Sequence, residues 1–228
     1  MVAPLPNTGY NQHNETLRGT HMKAILFDLD GTLTDSGEGI LHCAELTLQH
    51  YGLPIPPRSE MRSMVGPPLR DSFQRFGIPT AEMENAVAYY RKHYLAVGQF
   101  ENAPYPGIPE LLARLRSEGK RLYLATSKPE TMASDILRHF DLLQYFTIVC
   151  GAVPGGRSTK EEVIAHLLPQ LEAIDDLVMV GDTIYDVRGA AFHGIPCIAV
   201  AWGYGNAAQM RAAGARIVNN IDQLQEFL

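Results

Sequence analysis

Cysteine is scarce in this chain, and positive charge is not in excess. The three cysteines, Cys43, Cys150 and Cys197, are far apart and each sits in an apolar context. That pattern argues for a reduced, cytoplasmic protein without a disulfide framework. Nineteen Lys and Arg against 25 Asp and Glu leave a formal charge of -6. A protein that grips a nucleic-acid polymer needs clustered Lys and Arg for the phosphates, so that class is set aside, whereas a small anionic substrate needs only local positive charge. No window approaches the roughly 20 apolar residues of a membrane span, and no membrane partner is expected. The phosphate loop Gly-x-x-x-x-Gly-Lys-Ser/Thr, which a nucleotide-dependent kinase would need, is missing as well. What is present is a globular composition, 46% hydrophobic and 19% charged, in 228 residues, enough for one core domain and a smaller insert. Met1 to His21 is polar and has no apolar segment of a secretory signal. It reads as a disordered leader or an added extension ahead of Met22, outside the fold.

One stretch organises the rest. Ala24-Ile25-Leu26-Phe27 is a short apolar run that leads into Asp28-Leu29-Asp30-Gly31-Thr32-Leu33-Thr34-Asp35. An apolar run of this length before a turn signal predicts a fully buried strand with Asp28 and Asp30 at its carboxyl end. Residues two apart on an extended chain share a face, so both carboxylates are expected to point into one site while Leu29 points away. Two such acids repel. They are tolerated where a cation holds them, one keeps a proton, or water screens both.

Residues 36–102 lose strand character and predict helices over 38–51, 59–65, 69–76 and 80–97, the last capped by Thr80. After the linker Ala103-Pro104-Tyr105-Pro106-Gly107, helices over 108–118, 129–139, 160–168, 186–193 and 207–213 alternate with strands over 121–126, 146–150, 177–181, 197–201 and 216–219. Alternation at this spacing means a parallel sheet covered on both faces. The expected fold is therefore α/β, a doubly wound parallel sheet built from residues 22–35 and 103–228, with an inserted α-helical domain over 36–102. Ligands of such sheets bind beyond the carboxyl ends of the strands, where Asp28 and Asp30 lie.

Three further signals follow in order. Leu124-Ala125-Thr126-Ser127-Lys128-Pro129 puts a hydroxyl and free amides at a strand end, which by itself is most often a plain helix cap but can also contact an anion. Gly155-Gly156-Arg157-Ser158-Thr159-Lys160 precedes a helix, so the Lys160 ammonium can be aimed at the site; Arg157 serves either substrate or loop. Val180-Gly181-Asp182-Thr183-Ile184-Tyr185-Asp186 closes an apolar strand with two more acids. Together with Asp28 and Asp30 they form an oxygen-rich set of the kind Mg²⁺ prefers.

These four signals, spread over residues 24–201, resemble the ordered motifs of the haloacid dehalogenase-like superfamily, most of whose members are magnesium-dependent phosphatases. The resemblance implies that Asp28 is the nucleophile and forms an aspartyl phosphate. Asp30 acts as acid and then base, and Thr126, the Ser127 amide and Lys160 bind the phosphoryl group. Mg²⁺ is held by Asp28, Asp182 and the Asp30 carbonyl, while Asp186 binds through water or orients its neighbours. Asp30 speaks against a dehalogenase, whose reaction needs neither metal nor leaving-group acid. The insert is placed like the family's small helical cap, with Met64-Val65-Gly66-Pro67-Pro68-Leu69-Arg70 its most distinctive part and Arg70 a candidate substrate contact. The sequence is similar to the branch of phosphoglycolate phosphatases and 5'-nucleotidase-like phosphatases. Gly66-Pro67-Pro68-Leu69, the third motif and Trp202-Gly203-Tyr204-Gly205 favour the nucleotidase side, and the third motif lacks the Lys-Pro pairing of phosphoglycolate phosphatases. The implied substrate is a small phosphate ester and the implied assembly a monomer or homodimer. A phosphomutase, a pyrophosphatase and a non-catalytic phosphate-binding protein are the rival readings on the same fold, although a binding protein usually lacks one of the acids or the lysine.

Overall fold

In the computed structural model the described residues are 23–67, 69–171 and 176–228. The leader expected over 1–21 lies outside them, as does Pro68 within the Gly-Pro-Pro-Leu segment. Six strands form one parallel sheet: β1 (Ala24–Phe27), β2 (Arg121–Pro129), β3 (Phe146–Ala152), β4 (Leu177–Gly181), β5 (Cys197–Val200) and β6 (Arg216–Val218), in the order β3-β2-β1-β4-β5-β6. β1 is central and pairs with β2 on one side and β4 on the other, Phe27 standing level with both Leu124 and Val180. Every residue of β1, β4 and β5 is buried, as strands covered on both faces must be.

The two faces divide by alternation. Ile25, Phe27, Leu122, Leu124, Val178 and Val180 point toward α5 (Ile108–Ser117) and α6 (Glu130–His139). Leu26, Tyr123, Ala125 and Met179 point toward α7 (Lys160–Leu167) and α8 (Ile184–Phe192). Two short helices complete the layers, α9 (Ala207–Ala212) beside β6 and α10 (Ile221–Gln225) beside α5. Between β1 and β2 lie α1 (Gly37–His50), α2 (Arg58–Met61), α3 (Leu69–Arg75) and α4 (Met83–Ala96). They build a separate cluster from Leu41, Leu48, Met61, Phe73, Val87, Tyr90 and Tyr94, which Met132 of α6 joins.

Several element boundaries differ from expectation. Thr80 opens a 3-10 turn over Thr80–Glu82, and α4 begins only at Met83; Pro79, extended at φ -60° and ψ 141°, sets up the turn. α8 starts at Ile184, two residues ahead of the expected Asp186, because the Asp186 carboxylate reaches back to accept from the Thr183 N–H at 2.9 Å. β2 runs three residues beyond Thr126 through a register shift between Ala125 and Pro129. α10 was not anticipated. All three cysteines are free and buried. Among the described residues no helix is long and apolar enough to cross a membrane.

Candidate active site

The carboxyl ends of β1, β2 and β4 meet at one place because these strands are neighbours in the sheet. Asp28 follows the last residue of β1, and its N–H donates to Val180 O at 2.9 Å, which continues the ladder by one step. Asp182 follows β4 and Asp186 lies in the first turn of α8. Oxygens of Asp28, Asp182 and Asp186 all lie within 4.8 Å of one another, and all three residues are buried. Gly31 makes the approach possible. It has φ +81°, and a Cβ there would stand 2.2 Å from Asp182 Oδ2, so no side chain fits.

Lys160 is the counter-charge. Its ammonium lies 2.8 Å from Asp28 Oδ1, 2.8 Å from Asp186 Oδ1, and donates to Ala125 O at 2.8 Å. The stem reaches inward from the first residue of α7, which a Thr159–Glu162 capping box fixes in place. It also passes over Gly189 of α8: a Cβ at that position would stand 2.6 Å from Lys160 Cγ. Asp182 is held from both sides, Oδ1 accepting from Thr32 Oγ1 at 3.2 Å and Oδ2 from the Tyr204 N–H at 2.8 Å. Thr126 is buried, and its Oγ1 accepts from the Lys128 N–H at 3.2 Å, whereas Ser127 is exposed.

Three carboxylates share one lysine, and the electrostatics follow. Burial, offset in part by Lys160 and reinforced by Asp186, pushes the Asp28 carboxyl up to about 6. Burial, with Asp186 and Asp28 alongside, raises Asp182 well above the ordinary carboxylate range. Burial pulls the Lys160 ammonium down, but Asp186 and Asp28 outweigh it and hold the group above its usual value. A buried all-oxygen donor set with surplus negative charge fits a hard divalent cation such as Mg²⁺, which would relieve the repulsion that raises Asp28 and Asp182.

The Asp30 carboxylate does not join the cluster, contrary to the expectation that both acids share one aim. It turns to Lys128, whose ammonium donates to Asp30 Oδ1 at 3.0 Å and Oδ2 at 2.9 Å, and to Tyr94 Oη of α4 at 2.7 Å. Lys128 was missed in the sequence because Thr-Ser-Lys-Pro reads as a turn into a helix. Arg70 is not brought to the acids; it is exposed and paired with Glu84 of α4. Arg157 serves the loop: its Nε donates to Gly151 O at 2.6 Å and its other end pairs with Glu130. Tyr204, whose backbone N–H holds Asp182, also accepts at Oη from the Gly37 N–H at 2.7 Å and donates to Asp35.

This arrangement of acids and lysine at the ends of three parallel strands defines a class, and comparison with known proteins gives it a family. The sequence matches the haloacid dehalogenase-like hydrolase family over residues 25–200, and the chain belongs to that family. It is 42% identical over 215 residues to a protein of Mycobacterium tuberculosis named tyrosine-protein kinase PtkA, covering 92% of this chain and 74% of that one. A 5'-nucleotidase of Pseudomonas aeruginosa is 41% identical over 191 residues, 82% of this chain and 86% of the relative. Among solved structures, a predicted phosphatase from Clostridium acetobutylicum superposes with a TM-score of 0.85 at 40% identity, over 91% of this chain and 98% of that one.

Proposed function

We propose that the chain hydrolyses a small phosphate monoester through an aspartyl phosphate on Asp28. The observation that carries this reading is the Asp28 carboxylate paired with Lys160 at 2.8 Å within the buried acidic cluster. The Asp28 carboxylate attacks phosphorus, the bond from phosphorus to the leaving oxygen breaks, and Asp30 gives that oxygen a proton. Water then attacks phosphorus of the acyl phosphate and gives a proton to Asp30; inorganic phosphate departs and the Asp28 carboxylate is restored. Lys160, Thr126 and the Ser127 amide spread charge over the equatorial oxygens, so most of the acceleration is positioning and electrostatics. Asp186 orients Lys160. Asp28, Asp182 and the Asp30 carbonyl would hold Mg²⁺, which would supply positive charge against the repulsion between nucleophile and phosphate.

In this reading residues 36–102 act as a cap over a core of 22–35 and 103–228, and the protein works in the cytoplasm as a monomer or homodimer. Arg70 is left out of the substrate set because Glu84 holds it. The identity of 41% with a 5'-nucleotidase favours nucleoside monophosphates over phosphoglycolate. A second reading, which would dispense with the phosphate loop of other kinases, is favoured by the 42% identity with a tyrosine-protein kinase. A nucleoside triphosphate would pass its terminal phosphoryl group to Asp28 and leave as the diphosphate, and a tyrosyl hydroxyl rather than water would take the group, its proton going to Asp30.

The deciding experiment is phosphate release, with Mg²⁺, from nucleoside monophosphates, phosphoglycolate, pyrophosphate and sugar phosphates, with Asp28→Asn as the blank. A parallel arm supplies ATP and a tyrosine peptide. Release that vanishes in Asp28→Asn is the expected result. Absence of release from a folded, metal-binding protein would overturn it, and label on the peptide or isomerised sugar phosphate would replace it with a kinase or a mutase.

A further inference from the structure

Two separate segments, the loop after β1 and α4, converge on the Lys128 ammonium. Besides the bonds to both Asp30 oxygens and to Tyr94 Oη, its nitrogen stands 4.6 Å from the centroid of the Tyr94 ring. The Lys128 side chain is 7% exposed and that of Asp30 18%. A pair this dry is costly to break by removing one partner. Burial works against the Lys128 charge, but Asp30 and Tyr94 outweigh it and hold the group above its ordinary value. Tyr94 is fixed in turn. It is buried, lies parallel to Tyr90 at 5.6 Å, and Tyr90 packs edge-on against Phe73 of α3.

We propose that Lys128 is a positioning residue for Asp30, setting the plane of its carboxylate and tying that plane to Tyr94 and the inserted helices. The proposal rests on the reading of Asp30 as the acid and base of phosphate-ester hydrolysis. One ammonium bonded to both oxygens restrains the rotation of the carboxylate. Each oxygen keeps a further lone-pair site, so the clamp orients the group without occupying all of it. Lys128 also separates the Asp30 charge from the cluster of Asp28, Asp182 and Asp186, toward which an unclamped Asp30 would add repulsion. A shift of α4 relative to β2 would take Tyr94 away from Lys128 and loosen the clamp, so Asp30 is aimed most tightly while the inserted helices are seated.

The test compares a simple alkyl phosphate, whose leaving oxygen needs a proton, with 4-nitrophenyl phosphate, whose leaving group needs little help. Lys128→Met is expected to lower kcat about 100-fold on the alkyl ester, the lower end of what general acid catalysis contributes, and far less on the nitrophenyl ester. KM should stay within about threefold, Lys128→Arg should recover most of the loss, and Tyr94→Phe should show a weaker loss in the same direction. In an Asp30→Asn background, Lys128→Met should cost nothing further. An equal loss on both esters, a loss in KM instead of kcat, or a full additional loss without Asp30 would each overturn the proposal. Hydrolysis by wild type that survives Asp28→Asn would instead strike the underlying reading, and the two failures are told apart by that control. Circular dichroism of each variant separates misfolding from misaim, and Tyr94→Phe keeps the test alive if Lys128→Met does not fold.

Discussion

Gly189→Ala places one methyl group where α8 faces the stem of the proposed phosphate-binding lysine. The new carbon would stand 2.6 Å from Lys160 Cγ, 2.9 Å from its Cβ and 3.3 Å from its backbone carbon. Unstrained carbon contacts begin near 3.5 Å, so α7 and α8 must part or the stem must bend by roughly 1 Å. Lys160 cannot give way freely, since its ammonium is tied to Asp28, Asp186 and Ala125 O. Overpacking costs about 1–3 kcal/mol, while replacing a helix-interior Gly by Ala returns about 0.8–1 kcal/mol. The net loss of stability is therefore about 0–2 kcal/mol, and at about 2–4 °C per kcal/mol for a chain of this size Tm falls by no more than about 8 °C. Turnover should suffer far more, because a misplacement of about 1 Å at a charge-stabilising group costs about 100-fold. Calorimetry and steady-state kinetics on one preparation separate the two effects. A variant with wild-type kcat would refute the claim that Gly189 is present to make room for Lys160.

Asp28→Asn should abolish turnover while leaving the circular dichroism spectrum unchanged; persistent magnesium-dependent hydrolysis would sink the nucleophile assignment. Removal of divalent metal by chelation should stop activity, and Mg²⁺ alone should restore it. Because the Asp28 carboxyl is raised from 3.8 to about 6, the metal-free native state holds a proton there that the unfolded chain has already released. Its contribution to stability is full below 3.8 and disappears as pH rises through about 6. Mg²⁺ competes for the same oxygens, so its stabilising shift in Tm should be larger at pH 7.5 than at pH 5, and a shift independent of pH would contradict this. Tyr204→Phe removes the hydroxyl that bonds Gly37 and Asp35, with an expected cost of about 1–2 kcal/mol in stability. Mg²⁺ affinity, read by calorimetric titration, should be unchanged, since Asp182 is held by the backbone N–H of residue 204 rather than by the ring.

The sheet and the acidic cluster were legible because each rests on a local pattern. A four-residue apolar run ahead of Asp28 and another ahead of Asp182 have no place except in buried strands, and the Gly-rich loop before Lys160 announces a side chain delivered from a helix start. Lys128 was hidden because its meaning depends on Tyr94, 34 residues earlier on a helix of another layer. No local pattern encodes that meeting, although Tyr90 and Tyr94, four apart, do mark a buried helix face. The start of α8 was readable in principle, since Thr183 and Asp186 have the spacing of a helix N-terminus whose acid reaches back. Thr80 misled for the opposite reason: a capping residue type after Pro79 was taken up by a 3-10 turn. α10 is only five residues long, too short for hydrophobic periodicity to mark it.

The central place of β1 also bears on biosynthesis. Its neighbour β2 begins at Arg121, but the strand that covers its other edge, β4, begins only at Leu177. While the ribosome makes the intervening residues, a fully apolar strand has one row of backbone donors and acceptors with nothing to pair against, a template for aggregation that must be shielded until β4 arrives. Fragments that stop before Leu177 should accordingly be insoluble or chaperone-bound, and the acidic cluster, which needs Asp182, can form only after the edge has closed.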